Sequence, residues 1–165
     1  METLILERYI QDALLAFKLN DHLEGMRLLE KVLSIEPVHG KAHTLLGWLY
    51  LYQFIDWEKA ELHLNLALKH APSYSAPYLH MSYLLFENGR FKELTELLDK
   101  ALTIGGIEKS VIYLHYGKMY EAAGELRKAV RYYKTAIQWS FTTTELNLIK
   151  TNIKRCRDKR WVLFL

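Results

Sequence analysis

A single cysteine, Cys156, stands in 165 residues, so no disulfide forms within the chain and a reducing compartment suits it; the expected location is the cytoplasm. Prolines are scarce too, at positions 37, 72 and 77 only. No apolar run approaches the roughly 20 residues that span a bilayer, which argues against membrane insertion. The N-terminal stretch METLILERYIQ mixes acids with its apolar residues, and a secretory signal would instead place a basic start before an uninterrupted apolar core. Strand-like alternation is missing outside the last five residues. A phosphate-cradling loop is missing too, because Gly105-Gly106 lacks the flanking lysine that such a loop needs. What remains is a chain 50% hydrophobic and 25% charged with a net charge of +3, the composition of an ordinary folded domain.

The positive content is a repeat. Pro37, Pro72 and the Gly105-Gly106 pair fall 35 and 34 residues apart, and each closes a segment of the same plan. An apolar stretch carries a small residue in mid-helix, Gly47, Ser82 or Gly117, with Tyr50, Leu85 or Tyr120 three residues on. A polar turn follows. The second apolar stretch then ends in Ala67-Leu68 or Ala101-Leu102, and the last segment carries Ala129, Tyr133 and Ala136. Apolar positions recur at three and four, as in Leu45, Trp48, Leu49, Tyr52 and in Tyr113, Tyr116, Met119, Tyr120, the period of amphipathic helices. Pro37 and Pro72 stop the helices before them, the glycine pair is expected to stop another, and Pro77 fits a first helical turn. A period of about 34 residues is the signature of stacked helix-turn-helix units.

At these residues the chain resembles the tetratricopeptide repeat family, in which a small residue of the first helix faces a small residue of the second where the two backbones approach most closely. The likeness runs from about residue 40 to 141, with a one-residue adjustment in the turn at Phe54-Ile55-Asp56 and another near Lys109. The stretch before Pro37 also fits, with Ala13 and Gly25 at the small positions, although Asp12 sits where the family carries a large apolar residue. The resemblance implies an all-α fold, a right-handed superhelical solenoid of antiparallel helix pairs in a single domain, 1–165. Its repeats would cover 6–39, 40–74, 75–108 and 109–142. A capping helix over 144–160, with Thr144 as N-cap, and an apolar tail over 161–165 complete the expected layout.

In this family the first helices of successive repeats line a concave groove, and the resemblance places Phe17, Lys41, Thr44, Trp48, Tyr52, Leu79, His80, Tyr83, Phe86, His115 and Lys118 in or beside it. That set is aromatic with few charges, so it implies a protein partner, an apolar peptide or helix. Filling of the stack by the same aromatics is the competing reading. The carboxylate clamp by which some members grip chaperone tails is not expected, since the matching positions are Ile10, Leu14, Leu45, Ala76 and His80.

Charge collects at the end of the chain. Lys150, Lys154, Arg155, Arg157, Lys159 and Arg160 stand against Asp158 alone, a local balance of +5 in a chain of +3. A solvated face on a capping helix is the plain reading; an acidic partner or an anionic membrane surface is the sharper one. Nucleic acid is not expected, because no nucleic-acid fold signature accompanies the charge. The terminal WVLFL is expected either to fold back over the last helices or to serve self-association or docking. Lys150, Lys154, Arg157, Trp161 and Phe164 form this second candidate site.

No catalytic constellation is visible. Seven histidines are scattered over the repeats without metal-ligand spacing, and His39 and His43, four apart, straddle a turn and a helix start, so neither metal nor other cofactor is expected. The function expected is non-catalytic protein recognition, as an adaptor or assembly scaffold. Two alternatives remain: a secretion-type chaperone holding an export client, and a regulatory subunit or enzyme fragment acting through Cys156, whose basic neighbours would activate its thiol.

Overall fold

The computed structural model describes residues 2–163, and within them every regular element is helical. The helices are α1 (Glu2–Lys18), α2 (His22–Ile35), α3 (Gly40–Leu49), α4 (Trp57–His70), α5 (Ala76–Glu87), α6 (Phe91–Ala101), α7 (Lys109–Ala122), α8 (Leu126–Gln138) and α9 (Thr143–Leu163), with a π-helical turn over Tyr50–Phe54. The packing divides the chain into two compact units, Met1–Leu84 and Leu85–Leu165. The division falls inside α5.

In the first unit α1 packs on α2, α2 on α3 and α3 on α4. The core joins Leu6, Ile10 and Ala13 of α1 to Leu28, Leu29 and Val32 of α2 and to Ala42, Leu46 and Leu49 of α3. In α1 and α3 these residues are three or four apart, and in α2 Leu28 and Leu29 precede Val32 by four and three, which puts each set on one face. Asp12 is exposed beside Arg8, 3.9 Å away, on the face of α1 that meets no neighbour. Side-chain caps start the following helices: Asp21 accepts from Glu24 N, His39 from Ala42 N and Asp56 from Lys59 N, each satisfying a backbone donor that the first turn leaves without a partner.

The second unit pairs α6 with α7, α7 with α8 and α8 with α9. Leu126, Ala129, Tyr133 and Ala136 of α8 meet Ile149, Ile153 and Cys156 of α9 in its core. The start of α9 is a capping box set two residues earlier than expected. Thr142 Oγ1 accepts from Glu145 N, and the Glu145 carboxylate accepts from the backbone N–H of Thr142 and Phe141. Thr142, rather than Thr144, is the cap because Glu145 stands three residues after it.

Three further expectations are corrected. The glycine pair does not end α6, whose last residue is Ala101; Gly106 serves the following turn with φ 74°, where an L-residue is strained. The extra residue of the second repeat lies not in the Phe54-Ile55-Asp56 turn but in the π-helical turn before it, closed by Asp56 N donating to Tyr50 O at 2.9 Å. Finally, Trp161 and Val162 do not fold back. They continue α9 and stand 75% and 72% exposed.

Helix pairs nest at glycine, but the facing residue is large. A Cβ on Gly47 would lie 2.7 Å from the Leu64 side chain and 3.4 Å from Ala60 O, one on Gly25 would collide with the Phe17 ring, and one on Gly117 would collide with the Tyr133 ring. Tyr133 is fully buried and its hydroxyl donates to Glu121 at 2.8 Å, so the ring has nowhere to retreat. Gly117→Val is therefore expected to destabilise by about 1–3 kcal/mol, as overpacking of a tight core does, and a urea melt followed by tryptophan fluorescence should show an earlier midpoint.

Candidate protein-recognition site

Aromatic rings form a row within the first unit. Phe17 of α1 lies 5.4 Å from Trp48 of α3, centroid to centroid, Trp48 lies 6.4 Å from Tyr52 in the π-helical turn, and Tyr52 lies 5.3 Å from Tyr83 of α5. The tilted packings of 42–49° suit rings whose faces are electron-rich and whose edges are not. Phe17, Trp48 and Tyr83 are half-buried and Tyr52 is 37% exposed. One face of each ring is thus engaged and part of it stays open.

Two histidines flank the row. His80 meets Tyr52 edge-on at 5.7 Å, and His22 meets Trp48 edge-on at 6.5 Å. Burial pulls the His80 imidazole down to about 4, and burial beside Tyr83 pushes the Tyr52 phenol up to about 12. Both groups are therefore neutral at physiological pH, and the row offers apolar area without fixed charge. His22 was not legible as a neighbour of the row, because it opens a second helix whereas the sequence mapping used first helices alone.

The other expected groove residues are placed variously. Thr44 is only 1% exposed and spends its hydroxyl on Gly40 O at 2.8 Å, so it is corrected from a contact residue to a structural one. Lys41 reaches back to Glu7 at 3.1 Å. Leu79 is half-buried in α5. In the second unit Phe86 lies 6.1 Å from Phe91, Lys118 is half-buried, and His115 is buried, its imidazole pulled down to about 4 by burial and by Lys118.

A histidine pair was missed altogether. His43 Nε2 lies 3.0 Å from Pro37 O and its Nδ1 lies 2.9 Å from Nδ1 of His63. A carbonyl only accepts, so His43 carries its proton on Nε2 and receives a hydrogen bond from His63. His63 stacks on Tyr50 at 5.6 Å. Twenty residues separate the two histidines, and helix nesting alone brings them together. Among the described residues no group of three or more His, Cys, Asp or Glu stands close enough to hold a metal ion.

Near the end of the chain α9 sorts its cations. Arg155 Nε and Lys159 Nζ hold the buried Glu121 carboxylate at 2.6 and 2.8 Å, and Tyr133 donates to it as well. Burial acts to raise the Glu121 carboxyl, but hydrogen bonds from Arg155, Lys159 and Tyr133 outweigh it and hold the group at about 2. Lys150, Lys154, Arg157 and Trp161 are exposed, and Phe164 lies outside the described residues. Cys156 is fully buried in the α8–α9 core, and burial with Glu121 pushes its thiol up to about 11. The expected activation by basic neighbours is thereby overturned: Arg155 and Lys159 are spent on Glu121, and a buried neutral thiol is no nucleophile at neutral pH.

The pH dependence of stability follows from the histidines. His43 is pulled down by burial, and His63 is pulled down to about 4 by burial and by His43, so their neutral forms belong to the folded state. A group depressed on folding stabilises above its unfolded value and loses that contribution as pH falls through its folded one. Thermal melts are expected to shift downward between pH ~6.5 and ~4, and His63→Phe, which keeps a ring against Tyr50, should lessen the fall in that window, to which the buried His80 and His115 still contribute.

Comparison with known proteins follows the same lines. Residues 111–143 match the tetratricopeptide repeat family. No curated protein sequence matches the chain significantly. Among solved structures, Pseudomonas aeruginosa pilF superposes with a TM-score of 0.84 at 16% identity, over 98% of this chain and 72% of its own. PilW, described as a widely conserved type IV pilus biogenesis factor, gives 0.73 at 20% identity over 81% of this chain; the match spans 61% of PilW, less than two thirds of its length. A thermophilic TPR protein of Thermus thermophilus gives 0.71 at 16% identity, over 94% of this chain and 82% of that one. Residues 111–143 thus match a tetratricopeptide repeat, and the chain as a whole shares the fold of solved TPR structures.

Proposed function

We propose that this chain is a non-catalytic protein-recognition module, an adaptor or assembly scaffold, that takes an apolar peptide or helix along Phe17, Trp48, Tyr52 and Tyr83. The observation that carries the reading is the unbroken ring row, half-buried and neutral, inside one compact unit. Rigid aromatics supply large contact area and lose little conformational freedom on binding, so a few of them supply most of an interface's affinity. The π-helical turn supports the reading, because such turns recur at functional sites and this one carries Tyr52. Pilus biogenesis is what the PilW description records of PilW; for this chain, assembly work of that general kind is our extension from a shared fold, and fold alone does not fix function.

The test is selection from a random peptide display library against the full chain. Enriched peptides should carry aliphatic or aromatic residues at helical spacing. Trp48→Ala with Tyr83→Ala, checked for an unchanged helical circular dichroism spectrum, should weaken the best peptide at least about thirtyfold, the scale of hot-spot loss. Peptides bound equally by the double variant would remove the row as the recognition surface.

A further inference from the structure

Five of the six cations of α9 fall into two groups that differ in whether their charge is answered among the described residues. Arg155 and Lys159 are answered by Glu121. Lys150, Lys154 and Arg157, at successive intervals of four and three, share one outward stripe with Trp161. Together with Lys134 of α8 they surround a hollow of about 580 Å³, with Ile137 and Ile153 also in its lining and Asp158 as its one carboxylate. Ile153 is 7% exposed and Ile137 half-buried, so the apolar surface lies below the charged side chains. Four cations against one anion leave a local surplus of three positive charges.

We propose that this hollow between α8 and α9 docks an acidic peptide segment carrying a single apolar anchor residue. The unanswered cations supply the rim, and their complement is a run of carboxylates. The anchor enters over Ile137 and Ile153, and Trp161, 75% exposed at the end of the stripe, closes along the segment as an amphipathic lid on the contact. A bilayer is the poorer occupant, because a flat surface meets the lysine tips before it reaches the recessed isoleucines. A nucleic-acid strand is poorer as well, since it needs successive aromatic platforms and the hollow has one.

The surface is tested on the full chain by fluorescence anisotropy, with a fluorescein-labelled helical peptide that carries glutamates on either side of a single leucine. Binding is expected at low salt and should weaken steeply as salt rises, because exposed charges are screened over about 8–10 Å. Lys154→Glu with Arg157→Glu should weaken it at least about tenfold, and Trp161→Ala should weaken it at every salt concentration. Lys69→Glu with Lys92→Glu, which makes the same change in net charge at exposed sites elsewhere, should leave it unchanged. An equal loss in that control pair would reduce the effect to overall charge and overturn the proposal. So would an absence of binding at low salt, or tighter binding to phosphatidylserine vesicles or to oligothymidine than to the peptide.

Discussion

The close approach of paired helices at glycine is the constraint on which the rest depends. Where a helix offers no side chain, its partner can lay a large residue directly against the backbone, and the interior is too densely packed for either to shift freely. Gly25 receives the Phe17 ring and Gly117 receives the Tyr133 ring. Each contact has a consequence at some distance from the glycine.

In the first unit the consequence is the aromatic row. Phe17 is held over α2 by Gly25 and presents its ring to Trp48, from which the contacts continue to Tyr52 and Tyr83. The row passes through the π-helical turn, whose extra residue changes the register of α3 just where Tyr52 leaves it. Desolvation keeps the adjoining His80 neutral, so the surface selects by shape and apolar area rather than by charge.

In the second unit the consequence runs through one hydroxyl. Tyr133, seated on Gly117, donates to Glu121, and Glu121 fixes Arg155 and Lys159 of α9. A buried carboxylate needs such partners, and supplying them sets which side of α9 turns inward. Lys150, Lys154 and Arg157 then face outward with no ion pair among the described residues, and the basic excess of the sequence becomes an asymmetric surface. The same arrangement seals Cys156 in the core.

Repetition, helix period and proline stops are local properties, written in residues a few positions apart; from them followed the stacked helix-turn-helix plan, its punctuation at Pro37 and Pro72 and the all-α class. Capping and register were less legible. Thr142 rather than Thr144 is the cap because Glu145 three residues on answers it, and the displaced extra residue at Tyr50–Phe54 depends on how α3 seats against α4. Tertiary structure alone decided what lies together from distant parts of the chain: His43 against His63, Thr44 turned inward, Glu121 between Arg155 and Lys159, and Trp161 left in solvent. The reason is physical. Periodicity states which face of a helix is buried, but the partner met on that face is set by helix nesting, and the nesting distance depends on side-chain volumes contributed by both helices at once.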